Sequence, residues 1–212
     1  IDRVTSHVIL VREQKYFASL AGSRITQQRV RVKGDLTAVR IDRATGAFET
    51  MAAAAPPAGR GWEYIATVHD FGKDADEIPV LLEQKMKSPS IRPGRYDLVI
   101  DPTNLWLTIH ESIGHSTELD RVLGYEANYA GTSFATLDKL NTLQFGAPMM
   151  HVTADRQVAH GLATVGYDDE GVAAQTWDII RNGVLVGYQL DRQMARRQGF
   201  GRSNGCAFAD QA

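Results

Sequence analysis

The chain has 212 residues, of which 43% are hydrophobic and 23% charged, the balance of a globular protein with one large core or two small ones. Residues 1–101 hold 15 basic and 13 acidic side chains and residues 102–212 hold 8 and 12, so neither half is basic enough to make nucleic acid the main partner. No apolar run reaches the ~18 residues of a membrane span, and a single cysteine, Cys206, excludes an internal disulfide and favours a reducing compartment.

The first third of the chain has the pattern of β-strands. "SHVILVRE" (6–13) and "RITQQRVRVKGDLTAVRID" (24–42) alternate or are rich in β-branched residues, and "SLAGS" between them predicts a turn. Three basic residues share one face of the second strand: Arg29, Arg31 and Lys33. A solvated sheet face is the expected reading of this stripe, ahead of a nucleic-acid platform.

The next segment mixes a loop, a strand and a helix. Residues 51–61 predict a connection, because two consecutive prolines and several glycines forbid a continuing helix. "WEYIATVHD" (62–70) predicts another strand. A helix is expected from about Glu77 to Lys87, with Pro79 in its first turn and with a buried side that begins at Val80, Leu81 and Leu82.

A second helix is expected to follow a sheet edge. Tyr96 to Ile100 predicts a short buried strand, and Asp101 or Thr103 is a plausible helix N-cap. Apolar residues then recur at four-residue spacing, at Leu105, Ile109 and Ile113. This spacing predicts an amphipathic helix that carries the segment "HESIGH" (110–115).

The last third returns to strand-like character. The segments "MMHVTAD", "GLATVGYDDEG", "VAAQTWDIIRNG" and "VLVGYQL" are separated by turn signals, of which Asn182-Gly183 is a strong hairpin signal. A short helix is expected near 191–198. The predicted fold is α+β with largely antiparallel sheets. It divides into an N-terminal α+β domain over 1–101 and a β-rich, metal-binding domain that starts at 102.

The stretch "LTIHESIGHSTELD" (107–120) brings together His110, Glu111 and His115. Neutral imidazoles are zinc ligands, and a carboxylate beside zinc-bound water can take its proton, so these residue types suit amide hydrolysis. On an α-helix, a five-residue spacing places two side chains ~140° apart, nearly on opposite faces. The histidines can therefore share one ion only if a π-bulge absorbs the extra residue, or if Gly114 ends the helix and His115 bends round from outside it.

The other candidates for chemistry have simpler readings. Four histidines lack such a constellation and are expected to be surface or hydrogen-bonded core residues: His7, His69, His151 and His160. The acidic run Asp168, Asp169 and Glu170 could hold a metal, but a hairpin cap is the better interpretation of carboxylates before Gly171. The tryptophans Trp62, Trp106 and Trp177 are expected to be core or interface anchors.

The motif and several stretches in the same order resemble one known family. "HESIGHSTELD" is similar to the signature of the TldD/PmbA metallopeptidases, also called the modulator of DNA gyrase family. "GTSFA", "YDDEG", "IIRNGVLVGYQLDRQMA" and the upstream "KYFASLAGSRITQQRV" resemble further segments of it. Only the histidine motif is specific by itself. The order shared by all of them carries the resemblance.

The resemblance implies roles for individual residues. His110 and His115 would bind Zn²⁺ and Glu111 would be the general base of a peptidase of the TldD type, which keeps the motif that PmbA (TldE) subunits lack. It also implies a cytoplasmic homodimer, or a heterodimer with a PmbA/TldE-like subunit, that acts on peptides or unfolded protein segments. Direct nucleic-acid binding and membrane binding are not expected.

The third zinc ligand departs from the family pattern. In the family it is a cysteine of a Cys-Gly-Lys-like segment near the C-terminus, which is absent here, and family proteins are longer, so the second domain is expected to be incomplete. Cys206 reads better as a quiet, partly buried thiol, whereas Glu118 is the better substitute ligand or outer partner of a ligand. A two-histidine site is expected to hold metal weakly, so this polypeptide alone is expected to have little activity. The competing hypothesis is a non-catalytic peptide-binding partner or modulator subunit.

Overall fold

A computed structural model gives the fold and describes residues 1–208. Two three-stranded sheets and a few helices make up the α+β fold that the sequence predicts. The residues form two compact units, one of Ile1–Glu13 with Arg29–Thr103 and one of Gln14–Gln28 with the chain from Asn104 onward. The predicted domain boundary at Asp101 stays a prediction that limited proteolysis can test. Within residues 1–208, no helix combines the length and apolar character that crossing a membrane requires.

The first sheet has the strand order β1-β2-β3. Strand β1 spans Arg3–Ala18, β2 spans Arg24–Ile41 and β3 spans Phe48–Ala52; β2 and β3 pair antiparallel, with Thr37 opposite Ala52. The two predicted strands and the turn between them are confirmed, whereas β3 was not predicted. The basic stripe of β2 is ion-paired: Arg29 lies 2.9 Å from Glu13, and Lys33 lies 3.3 Å from Asp35.

Helix α1 spans Phe71–Lys87 in the first unit. It begins six residues before the predicted start because Asp70 is its N-cap, with a carboxylate that accepts the backbone N–H of Lys73 at 2.9 Å. Pro79 therefore lies inside the helix and not in the first turn, which corrects the prediction. Ile78 and Leu82 are buried, in one cluster with Ala38 of β2. The predicted buried residues Val80 and Leu81 are exposed.

Two strands predicted in the first unit are wrong. Residues 62–70 contain a π-helix, Tyr64–Val68, since Tyr64 is buried with Val32 and Ala58 and its hydroxyl donates to the Pro56 carbonyl at 2.7 Å. Tertiary packing overrides the β-propensity of this segment. Residues 96–100 form no strand, and Val99 is fully exposed. An apolar run becomes a strand only where another strand pairs with it, and in the described chain none does here.

The second sheet has the order β4-β5-β6 in the second unit. Strand β4 spans Val152–Asp155, β5 spans Thr176–Arg181 and β6 spans Val184–Leu185; β5 pairs antiparallel with both neighbours. The Asn182-Gly183 hairpin is confirmed, with φ of 52° and 77° at its two residues, the left-handed conformation that a type I′ turn needs. The predicted helix near 191–198 is also present, as α4, which spans Arg192–Gln198.

The core of the second unit lies between this sheet and the helices around it. Short helices α2 and α3 span Pro102–Ile109 and Leu119–Val122, 3₁₀ turns span His115–Thr117 and Leu137–Lys139, and α4 spans Arg192–Gln198. The core residues with at most 3% exposure are Leu119, Ala135, Ile179, Ile180, Leu185 and Tyr188. Trp177 packs against this core, as predicted, but Trp62 and Trp106 are 59% and 61% exposed, so neither is a core anchor.

The tip of the β1–β2 hairpin also belongs to the second unit. The amide of Gln27 closes three hydrogen bonds with a segment far along the chain: its oxygen accepts the N–H groups of Gly166 and Tyr167 at 3.0 and 2.9 Å, and its nitrogen donates to the Tyr167 carbonyl at 2.9 Å. Residues 161–171, expected to be a strand, are mostly turns, with one isolated bridge between Tyr167 and Ala173.

Candidate metal centre

The motif follows helix α2, whose N-terminus is capped as predicted. The Asp101 carboxylate accepts hydrogen bonds from the Thr103 hydroxyl at 2.7 Å and from the Thr103 backbone N–H at 2.9 Å. These two bonds lower the pKa of Asp101. The expected apolar stripe is buried at one end only, because Ile113 is 5% exposed whereas Ile109 is 41% exposed.

A π-helix carries the first half of the motif. It spans His110–Gly114, and the backbone N–H of His115 donates to the carbonyl of His110, five residues earlier. The wider turn absorbs the residue that an α-helix could not accommodate. The two imidazole rings consequently lie against one another edge to face, with centroids 4.4 Å apart and planes at 68°. Of the two alternatives left open by the spacing, the π-bulge is the one present.

Buried side chains hold the end of this π-helix. A helix leaves its last carbonyls without backbone partners, and here hydroxyl and amide groups satisfy them. The Ser116 hydroxyl donates to Ser112 O at 2.7 Å, and the Thr117 hydroxyl donates to Ile113 O at 2.7 Å. The Gln189 amide donates to Gly114 O at 2.6 Å. Thr117 is fully buried, so its bond to Ile113 O is shielded from water.

The three motif residues form one cluster. His110, Glu111 and His115 each offer a ligand atom, and these atoms lie within 4.8 Å of one another. The side chains of His110 and Glu111 are 52% and 61% exposed, and that of His115 is 30% exposed. Two imidazoles and a carboxylate are a donor set that suits zinc. Their exposure leaves the cluster accessible to a substrate from solvent.

The Glu118 carboxylate fixes the orientation of His115. Both carboxylate oxygens lie 3.1 Å from Nδ1 of His115. Nη2 of Arg121 lies 3.4 Å from the same nitrogen. When Nδ1 carries the ring hydrogen and donates it to the carboxylate, Nε2 keeps its lone pair. Outer carboxylates of this kind orient metal-binding histidines in many zinc sites. Glu118 therefore acts on a candidate ligand, and it does not itself belong to the cluster.

Cys206 also lies outside the cluster of possible ligands. It is partly buried, and burial raises the pKa of its thiol, which is the quiet thiol that the sequence favours. Together with Glu118, Gln189 and Met194, it lines a cavity of about 310 Å³. In this arrangement Cys206 is therefore not positioned as a ligand of the candidate metal centre.

The acidic run caps a turn. Asp168 is 2% exposed, and its carboxylate accepts three backbone N–H groups, those of Glu170, Val172 and Ala207. Asp169 pairs with Lys15 at 3.0 Å. These contacts match the hairpin-cap interpretation, and the three acids form no metal cluster among residues 1–208.

Three of the remaining histidines contact polar or charged groups outside the motif. His69 Nε2 lies 2.6 Å from Asp74, and His7 Nε2 lies 2.9 Å from Asp35. His151 Nδ1 lies 3.5 Å from the Asn182 N–H. In the described part of the chain, neither these three nor His160 joins a group that could hold a metal.

Sequence reasoning missed the residues that support the motif from behind. Gln189 lies 75 positions from Gly114, and no local pattern announces such a contact. Arg121, three positions after Glu118, pairs with it. The i,i+3 spacing of opposite charges was a signal that could have identified Arg121.

Comparisons with known proteins agree with this fold. Residues 93–211 match the family model described as the PmbA/TldA metallopeptidase C-terminal domain. A metalloprotease of Methanocaldococcus jannaschii is 30% identical over 125 residues, which are 57% of this chain and 26% of that protein. A zinc metalloprotease TldD homolog of Saccharolobus solfataricus is 27% identical over 130 residues, 61% of this chain and 27% of that protein.

Solved structures share the fold over nearly the whole chain. A protein named as a candidate modulator of DNA gyrase, from Thermotoga maritima, superposes with a TM-score of 0.66 at 22% identity, covering 95% of this chain and 42% of that one. TldE from Thermococcus kodakarensis superposes with a TM-score of 0.57 at 17% identity, covering 94% and 41%. The chain spans about a quarter of the length of the curated relatives. With more than half of its residues matched by the family model, the chain belongs to the PmbA/TldA (TldD/PmbA) metallopeptidase family.

Proposed function

We propose that this chain carries the zinc-binding and catalytic motif of a TldD-type metallopeptidase, with His110 and His115 as ligands and Glu111 as general base. The observation that carries the proposal is the π-helix, which brings side chains five positions apart to within 4.8 Å of one another. A regular helix would send the histidines to nearly opposite faces. The names of the relatives, metalloprotease and zinc metalloprotease, support the same reaction class.

Each residue has a defined task in the proposed reaction. The imidazoles of His110 and His115 would hold Zn²⁺, and Glu118 keeps Nε2 of His115 available for it. A zinc ion at this position would supply a Lewis acid and lower the pKa of a bound water. Glu111 is exposed beside His110, with its Oε1 3.9 Å from Nε2, where its carboxylate can take a proton from the attacking water and pass it to the leaving amine.

The third protein ligand is the remaining part of the proposal. Catalytic zinc usually has three protein ligands. The two candidates for the third ligand have other contacts, because Glu118 binds His115 and Cys206 lines a cavity. We place the third ligand outside residues 1–208, as the family resemblance implies for a cysteine. X-ray absorption spectroscopy of the zinc-loaded intact protein should then show one sulfur scatterer, which should persist in Cys206→Ser.

The resemblance to the family also suggests a substrate and an assembly. Peptides and unfolded segments are the proposed substrates, in the cytoplasm, and a subunit of the PmbA/TldE type or a second copy of this protein is the proposed partner.

Glu111→Gln in the intact protein tests the catalytic role. The amide keeps the size of the side chain but cannot accept a proton, so hydrolysis of an unfolded protein should fall by about 10²–10⁴-fold while zinc stoichiometry is retained. His110→Ala should lose both. His151→Ala, outside the cluster, is the matched control and should keep both. If the unaltered protein binds unfolded protein without hydrolysing it, and Glu111→Gln leaves that binding unchanged, the alternative is favoured, a non-catalytic peptide-binding partner or modulator subunit.

A further inference from the structure

We propose that the outer side of α4 is a docking surface for an acidic, extended segment of another polypeptide. The surface consists of Arg192, Arg196 and Arg197 with Tyr125 beside them, and it is called the arginine face below. None of these residues belongs to the candidate metal centre, so the proposed docking does not depend on the proposed peptidase reaction.

Positive charge is concentrated at and just after α4. Residues 102–212 hold 8 basic and 12 acidic side chains, and four of the eight basic ones lie within 192–202, a segment that has no acidic residue. A cluster of one sign creates a local potential that differs from that of the surrounding surface. The arginine face is therefore a positive patch on a part of the chain that has an excess of acidic groups.

The three arginines are available to a ligand. Arg192, Arg196 and Arg197 are all exposed. Within residues 1–208, no carboxylate forms an ion pair with any of them. The carboxylate of Glu170 accepts the backbone N–H of Arg192 at 2.9 Å, so this nearby acid binds the start of the helix and not a guanidinium group.

The charge pattern does not stabilise the helix by itself. Arg192 and Arg196 are four positions apart, and like charges at this spacing repel one another on a helix. Arg192 also directly follows the N-cap residue Asp191, where the positive end of the helix dipole disfavours a cation. Carboxylates bound to Arg192 and Arg196 would relieve both effects.

The backbone under the arginine face is held firmly. Met194 and Ala195, on the inner side of α4, are 6% and 4% exposed and belong to the core of the second unit. The Asp191 carboxylate accepts the Met194 N–H at 2.7 Å, and Gly199 ends the helix in the left-handed conformation, with φ of 73°. Binding therefore has to order side chains only, which lowers its entropic cost.

Two open depressions flank the arginines. The first has a volume of about 550 Å³ and is lined by Glu170, Arg192, Gln193, Arg196 and Arg197. The second has a volume of about 300 Å³ and is lined by Leu123, Gly124, Tyr125 and Gln198. Arg197 connects them, because its Nη1 donates to the Tyr125 hydroxyl and its guanidinium carbon lies 5.5 Å from the centre of the Tyr125 ring.

The chemistry of the surface selects an acidic polypeptide as the partner. A guanidinium group binds a carboxylate through two parallel hydrogen bonds, and arginine and tyrosine are enriched in protein interfaces. Leu123 and Tyr125 can receive an apolar side chain of the same segment. The Glu170 carboxylate accepts N–H groups, which a peptide backbone offers, whereas it would repel the continuous negative charge of a nucleic acid.

Fluorescence anisotropy with a labelled peptide tests the docking. The probe is a glycine–serine peptide that carries spaced glutamates and one leucine. The intact protein should bind it, less tightly as salt is raised, and should bind the same peptide with glutamine in place of glutamate at least about tenfold more weakly. Each exposed ion pair contributes up to about fivefold in affinity, so the double variant Arg192→Glu and Arg196→Glu should lose about tenfold or more.

A second double variant, Arg92→Glu and Arg95→Glu, is the matched control. Both arginines are exposed and lie outside α4, and the change in net charge is the same, so affinity should be retained. Equal losses in the two double variants, or equal affinity for the glutamate and glutamine peptides, would overturn the proposal. Tighter binding of a thymidine oligonucleotide than of the glutamate peptide would also overturn it. If the first double variant does not fold, Arg192→Gln with Arg196→Gln takes its place, with an expected loss of about fivefold or more.

The docking and the peptidase proposal can fail separately. Glu111→Gln and zinc removal by a chelator should both leave binding of the glutamate peptide unchanged. If the peptide binds through the arginine face but the intact protein hydrolyses nothing, only the metallopeptidase proposal fails. If the protein hydrolyses unfolded substrates but peptide binding ignores Arg192 and Arg196, only the docking proposal fails.

Discussion

Replacing Thr117 by Val removes one hydroxyl from the base of the candidate metal centre and keeps nearly the same shape. The hydroxyl donates to Ile113 O at 2.7 Å and accepts from the Gln189 amide at 3.3 Å, and the residue is fully buried. A buried carbonyl that loses its partner costs about 1–3 kcal/mol. Ser116 Oγ, at 3.2 Å, keeps partial contact with the same carbonyl. The free energy of unfolding should therefore fall by about 1–2 kcal/mol.

Thermal unfolding followed by circular dichroism measures this change. For a chain of this length, 1 kcal/mol lowers Tm by about 2–4 °C, so a decrease of about 2–8 °C is expected. Thr142→Val is the matched control, because its hydroxyl makes the same kind of bond, to Lys139 O at 3.0 Å, on the exposed surface; it should change stability by less than about 0.5 kcal/mol. Equal effects of the two variants would refute the role given to burial.

The same variant should also weaken metal binding. Without the Thr117 hydroxyl, Ile113 O and the Gln189 amide each lose a partner at the end of the π-helix. The turn that carries His115 is then held less tightly. Zinc affinity should fall together with Tm, whereas Thr142→Val should retain it.

Three further predictions concern the core and the capped turn. Burial raises the pKa of Tyr188 to about 12, so folding favours the neutral phenol. This contribution to stability is present below pH 10 and is lost as pH rises to 12, about 3 kcal/mol for two pH units. Tyr188→Phe should reduce the loss of unfolding free energy between pH 9 and pH 11 in urea titrations. Leu119→Ala, at a fully buried site, should cost about 2–5 kcal/mol in urea unfolding, against almost nothing for exposed Leu20→Ala. Asp168→Asn replaces one of the two oxygens that accept three N–H groups by an NH₂ donor and should cost about 1–3 kcal/mol. If Asp169→Asn costs as much, the cap assignment is wrong.

The part of the candidate site that lies on one helix could be predicted from the sequence. The five-residue spacing of the histidines is incompatible with an α-helix, and that argument leaves two alternatives, a π-bulge or a helix that ends at Gly114. The structure has the first, a π-helix at His110–Gly114. The supporting residues could not be predicted in the same way. Gln189 reaches Gly114 only because β6 and the following segment fold back beside the motif, and this contact depends on the whole second unit.

The fold shows the same division between local and non-local information. The Asn182-Gly183 hairpin and the Asp101 cap follow from residues within a few positions, and both are confirmed. Residues 62–70 and 96–100 have the residue types of strands but not the partners of strands. In the first, the buried Tyr64 selects a π-helix; in the second, Leu98 and Val99 stay exposed. Residue composition gives only a preference for strand, and a strand forms only where a neighbouring strand pairs with it.

The participation of Gln27 in the second unit has a consequence during biosynthesis. The hairpin tip leaves the ribosome first, but the backbone groups that Gln27 binds lie about 140 residues later. At about 5–20 residues per second, translation needs roughly 10–30 s to supply them. For that interval the tip has no native neighbours from the second unit, and a nascent-chain protease pulse should cleave near 19–23 until residue 167 has emerged.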